Sequence, residues 1–156
     1  TQVEPRLPLV RMDENAMTLV ILNLVDNAIK YAAEGQDVDV RLGRTPGGIV
    51  LAVRDHGPGI PPDEQGRIFE RFYRARDARD RNVRGSGIGL ALVDAIIRAH
   101  GGRVVVESPA PGVPAGEQPG SEFRVYLPAP IAEGSESAAR HYVATATQGA
   151  GKGGRP

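Results

Sequence analysis

From Thr1 to Asp13 polar and apolar positions alternate around Pro5 and Pro8, which reads as an edge strand or lead-in segment. The spacing turns helical from Glu14 to Ala33, with Asp13 or Asn15 as candidate caps and Gly35 as the stop. On that helix Thr18, Ile21, Leu22, Val25, Ala28, Ile29 and Ala32 share an apolar face. Asn23, Asp26, Asn27, Lys30, Tyr31 and Glu34 lie opposite. Strand-like alternation returns over Asp37–Leu42 and Ile49–Arg54, joined by Thr45-Pro46-Gly47-Gly48 as a hairpin. A Gly/Pro-rich loop, Asp55 to Pro62, leads to a short helix over Asp63–Phe69. Arg71–Ser86 is polar and aperiodic, a long loop. A second helix covers Gly87–His100 and ends at Gly101-Gly102. Two more strands, Arg103–Glu107 and Glu122–Leu127, flank a Pro/Gly-rich connection.

Hairpins with helices between them predict a two-layer α/β sandwich, a mixed sheet with helices on one face. The turn at Thr45–Gly48 is too tight for a parallel crossover, so a doubly wound sheet fits poorly. The domain is expected to span 1–128. Residues 129–156, rich in Ala, Gly, Ser and Thr, are expected to form a flexible tail. The abrupt start suggests a chain cut from something longer.

Composition narrows the function. With 19 basic and 19 acidic residues the chain has no net charge, which argues against nucleic acid as a partner. With no cysteine there is no thiolate nucleophile and no Cys-ligated zinc. No apolar run reaches the ~20 residues of a membrane span.

Three places can carry chemistry. Asn23 and Asn27 stand one helical turn apart, and Lys30 and Tyr31 extend the stripe. Such a stripe is ordinarily a solvated face. Amide oxygens, however, are neutral hard ligands suited to a Mg²⁺ that leans on substrate phosphates, and a Lys nearby can meet a phosphate. Asp55-His56-Gly57-Pro58-Gly59-Ile60 puts a carboxylate before a backbone nearly stripped of side chains. It reads either as a plain turn or as a wall for a flat base. An ionised Asp only accepts, so it would suit the amine of adenine and reject guanine. Gly85-Ser86-Gly87-Ile88-Gly89-Leu90 opens a helix, where free N–H groups bind anions. The literal G-x-G-x-x-G at Gly149, Gly151 and Gly154 lies in the tail without a strand or helix around it and is a decoy.

Taken together and in order, these motifs resemble the catalytic ATP-binding domain of bacterial sensor histidine kinases, within the superfamily of Hsp90, gyrase and MutL ATPases. Asn23-Leu24-Val25-Asp26-Asn27-Ala28-Ile29-Lys30-Tyr31 matches the N box. Asp55 to Gly59 matches the first glycine box, Ile68 to Arg74 the F box, and Gly85 to Leu90 the second glycine box. The resemblance covers about Pro8 to Pro128 and implies a Bergerat-type fold with ATP and Mg²⁺ as ligands.

The resemblance also implies roles. Asn27, with Asn23 beside it, would bind Mg²⁺, and Lys30 and Tyr31 would line the phosphate and sugar side. Asp55 would hold the adenine amine in a pocket formed with Gly57, Gly59 and Ile60, with Ser121 supporting that Asp through water. Phe69 and Phe72 would anchor a lid over Arg74–Arg84, mobile when empty, and Arg74 would approach the terminal phosphate. Gly85, Gly87, Gly89 and Leu90 would line the phosphates. Hydrolases of the superfamily place a Glu at position 23. Asn cannot accept a proton, which favours phosphoryl transfer over hydrolysis. An acceptor His on a separate dimerisation domain, and a response regulator beyond it, would be the partners. The domain alone would be monomeric and cytoplasmic, and its parent homodimeric in the inner membrane. His56, His100 and His141 lack the acceptor's usual surroundings. An anti-sigma-factor serine kinase, or a nucleotide-binding module without turnover, are the alternatives.

Overall fold

Residues 1–32, 37–76, 85–114 and 116–130 are described in the computed structural model of the chain. The expected helix stop at Gly35, most of the expected lid, the decoy glycines and the tail from 131 onward lie outside them. Five strands form one sheet: β1 (Gln2–Val3), β2 (Asp39–Thr45), β3 (Gly48–Asp55), β4 (Arg103–Glu107) and β5 (Ser121–Pro128). Their order is β1-β2-β3-β5-β4, with only β1–β2 parallel, so the sheet is mixed as expected. Helices α1 (Glu14–Tyr31) and α3 (Gly89–Ala99) pack on each other and on one face of the sheet. A single turn, α2 (Pro62–Gln65), lies between them in sequence.

The sheet's inward set is the alternate residues Ile49, Leu51 and Val53 of β3 and Phe123, Val125 and Leu127 of β5. They meet Val20, Leu24 and Ala28 from α1 and Val93 and Ile97 from α3. Fully burying a side chain of this size stabilises by about 1.5–3 kcal/mol. Asp13 caps α1 by accepting the Ala16 N–H at 2.8 Å, which contributes about 1 kcal/mol. The Asp13 N–H in turn donates to His100 Nε2 at 3.0 Å, while His100 Nδ1 donates to the Ile96 carbonyl at 2.7 Å. His100 therefore joins the end of α3 to the start of α1.

The apolar face expected on α1 needs correcting. The buried positions are Met17, Val20, Leu24 and Ala28, whereas Ile21, Leu22 and Ile29 are exposed. At 3.6 residues per turn the buried stripe is rotated by about a quarter turn from the expected one. Apolar residues occupy so much of this helix that periodicity alone could not tell its inner stripe from its outer one. The polar stripe with Asn23 and Asn27 consequently borders the core instead of opposing it. The short helix is also shorter than expected: turns replace it after Gln65.

Candidate nucleotide site

Between α1, the loop after β3 and the start of α3 lies a cavity of about 300 Å³, within the ordinary range for a small-molecule site. Asn23, Asn27, Lys30 and Tyr31 line it from α1. Asp55, Gly59, Ile60 and Ser121 line it from the sheet side, Arg74 from the segment after Tyr73, and Gly85, Gly87, Gly89 and Leu90 from the start of α3. The three motifs, far apart in sequence, thus meet in one place. Three of the expected residues do not line it. Gly57 lies behind the wall, where a Cβ would fall 2.1 Å from the Tyr31 carbonyl oxygen. Phe69 packs edge-on against Phe123, with ring centroids 6.4 Å apart. Phe72 differs from the side-chain anchor expected of it, the residue being 72% exposed. A backbone φ of 64° turns its ring outward, and the Phe72 N–H donates to the Gly87 carbonyl at 2.9 Å. Here the backbone makes the tie.

At the closed end, Asp55 is buried at 2% exposure. Its Oδ1 accepts the Gly57 N–H at 2.9 Å and the Ser121 N–H at 3.2 Å. Ser121 thus supports Asp55 directly through its backbone. Desolvation by burial lifts the Asp55 carboxyl above its ordinary pKa, and the two N–H donors, with His56 and Arg54, pull it back. Oδ1 is thereby committed to the protein, which leaves Oδ2 for a base.

Sequence reasoning missed the residues that stiffen this wall. Ser108 Oγ accepts the Ile60 N–H at 2.7 Å and donates to the Gly120 carbonyl at 2.8 Å. Gln65 Nε2 donates to the carbonyls of Ile60 and Ser108 at 2.9 and 2.6 Å. A Ser at a strand end and a Gln in a short helix carry no signal of their own; only the fold brings them together. His56, in the same loop, faces away and pairs with Asp39 at 3.1 Å.

The open end is made of side chains. Asn23 donates its amide nitrogen to the Leu19 carbonyl at 2.8 Å. Its Oδ1 faces Gly89, where an added Cβ would lie 2.7 Å away. Lys30 is held by Asp26 at 2.5 Å in an exposed i,i+4 pair, so its ammonium rests beside the cavity. Burial raises the pKa of the Tyr31 phenol, and nearby Arg74 and Lys30 oppose that rise; the phenol stays a neutral donor. Among the described residues no group of three or more His, Cys, Asp or Glu is placed to hold a metal ion. The amide oxygens of Asn23 and Asn27 still fit Mg²⁺ of the kind that keeps several waters and is shared with substrate phosphates.

The fold and this cavity place the chain in a class, and residues 12–131 match the family of histidine kinase-, DNA gyrase B-, and HSP90-like ATPases, to which the chain belongs. Among individual proteins it is similar to the signal transduction histidine-protein kinase/phosphatase MprB of Mycolicibacterium paratuberculosis. The two are 44% identical over 117 residues, 74% of this chain and 22% of that protein. A solved structure of a mycobacterial sensor histidine kinase MprB superposes with a TM-score of 0.72 at 39% identity, covering 83% of this chain and 82% of that one. Full-length ShkA in complex with AMPPNP gives a TM-score of 0.63 at 34% identity, over 81% of this chain and 24% of that one. The chain spans about a fifth of the length of the curated relative, 22% in number. Among the described residues no helix is long and apolar enough to cross a membrane.

Proposed function

We propose that this chain is the ATP-binding catalytic domain of a sensor histidine kinase, spanning 1–128. It binds Mg-ATP and hands the γ-phosphate to a histidine on a separate dimerisation domain, which then phosphorylates a response regulator. The adenine amine donates to Asp55 Oδ2 while the base lies against Gly59 and Ile60. Tyr31 and the N–H groups at Gly85, Gly87 and Gly89 face the phosphates. Lys30 leaves Asp26 for a phosphate oxygen, and Arg74 meets the terminal phosphate. Asn27 and Asn23 would hold Mg²⁺, which when bound neutralises charge on the phosphate oxygens.

The observation that carries the reading is the amide at position 23, whose orientation is fixed by the Leu19 carbonyl. It stands where hydrolases of the superfamily have a carboxylate base, and it cannot take a proton from water. The phosphate therefore waits for another acceptor. Exposed apolar side chains ring this end: Leu19 one turn before Asn23, Ile88 next to Gly89, and Phe72, which is tied to Gly87. They offer an acceptor-bearing helical domain an apolar seat. Neither described histidine is an acceptor in this reading, since His56 and His100 are engaged structurally. Because the substrate is ATP, the domain works on the cytoplasmic side, its parent being a homodimer in the inner membrane.

Calorimetry with ATP and GTP, with and without Mg²⁺, tests the reading. It expects Mg²⁺-dependent ATP binding with GTP excluded, and hydrolysis by the isolated chain well below about 1 s⁻¹, the low end of ordinary turnover. Equal affinity for both nucleotides, or brisk hydrolysis, would refute it.

A further inference from the structure

Glu64 is a carboxylate at 2% exposure that nothing in the nucleotide chemistry uses. Burying a charge costs several kcal/mol unless it is matched by close partners, so its surroundings matter. Its Oε2 accepts the Arg76 N–H at 3.2 Å. Its Oε1 lies 3.0 Å from Arg76 Nε, an ionic contact without hydrogen-bond alignment. The other end of the same guanidinium meets Asp63 at 3.1 Å. Adjacent acids on α2 thus grip one residue by its backbone and by its side chain.

That residue stands two positions after Arg74. On the other side of Arg74, Tyr73 packs against the core, with the Arg67 guanidinium 4.4 Å from its ring centroid. Arg74 is therefore the first residue of a two-residue span pinned at Tyr73 and at Arg76. Releasing one pin restores backbone freedom to that span, which must be lost again before Arg74 can bind.

We infer that Glu64, with Asp63, is a positioning residue that sets Arg74 against the cavity by holding Arg76. The inference rests on the assignment of Arg74 to the terminal phosphate. It concerns how that arginine is held, through a carboxylate that never touches nucleotide. A held Arg74 forms its charge-assisted hydrogen bonds without first ordering the segment. A released one must spend part of their free energy on that ordering.

The test compares ATP with ADP, because only the terminal phosphate reports on Arg74. Glu64→Gln keeps an acceptor for the Arg76 N–H and loses the charge. Arg76→Met alters a side chain that is 75% exposed and leaves the backbone N–H to Glu64 in place. It gives a second readout should the buried substitution fail to fold, with folding of both variants checked by denaturant unfolding. In both variants ATP affinity is expected to fall about tenfold, with ADP affinity unchanged. Arg76→Lys is expected to recover part of the loss. If the unsubstituted chain binds ATP and ADP alike, the assignment of Arg74 fails. If it prefers ATP and Arg76→Met keeps that preference in full, the positioning role of Glu64 is overturned. A parallel loss of ATP and ADP affinity would likewise overturn it, since that is what a merely structural residue would give.

Discussion

The two ends of the nucleotide cavity are built on different principles. At the base end the protein satisfies itself. Asp55 takes two backbone N–H groups, Ser108 bridges Ile60 to Gly120, and Gln65 holds two carbonyls. At the phosphate end a long side chain rests on a neighbour it can leave, Lys30 on Asp26, both exposed, and Arg74 reaches in from its short span. A buried, cross-linked wall recognises by shape and costs little to organise on binding. An exposed set of cations is rearranged by the ligand's charge. Specificity therefore belongs to the first end and phosphate handling to the second.

Asp55→Asn breaks the base end most severely. An acceptor-only group becomes one that also donates, and losing one buried charge-assisted hydrogen bond costs roughly 1.5–3 kcal/mol. ATP affinity is expected to drop about 10- to 150-fold by calorimetry, while the thermal midpoint changes little.

Acid has the same effect by protonation. Burial raises the Asp55 carboxyl above the usual carboxylate value. The folded chain therefore binds this proton more readily than the unfolded one, and the group favours the fold as pH falls through that window. Binding responds in the opposite sense. Once protonated, Oδ2 turns a hydrogen toward the adenine amine, so ATP affinity is lost as pH falls through the raised pKa and is full above it. Affinity measured against pH is expected to show this step, and Asp55→Asn to lack it.

Ser108→Ala sharpens the contrast. It orphans the Ile60 N–H and the Gly120 carbonyl, at about 1–3 kcal/mol of stability, visible in denaturant unfolding. Adenosine and ATP should weaken together, because only the base wall is loosened. Lys30→Met does the reverse at the phosphate end. Its exposed pair with Asp26 contributes under about 1 kcal/mol to stability, so the fold is untouched and only ATP weakens relative to adenosine.

The same contrast explains what the sequence revealed. Asp55, the two asparagines and the glycines were legible because their chemistry demands particular residue types at particular spacings. The strands were legible because β3 is a short apolar run bounded by glycine and Asp55, and β5 alternates buried and half-buried residues from Phe123 to Leu127. The braces were not. Ser108, Gln65 and Glu64 act through partners 5 to 48 positions away, a relation that only folding creates. The inner stripe of α1 was misplaced for a related reason. Leu22 and Ile29 are as apolar as Val20 and Leu24, yet 59% and 63% exposed. Apolar residues on the outer side of a helix follow the pattern of a second interface, which periodicity cannot separate from a core.

Phosphotransfer tests the central claim most directly. The chain, given γ-labelled ATP and Mg²⁺, is mixed with a separately purified dimerisation hairpin from a closely similar sensor kinase. Acid-labile label is expected on the hairpin's histidine, and none on the chain itself whether or not the hairpin is present. Label accumulating on the isolated chain would contradict the account, as would free phosphate released at the same rate with and without the hairpin.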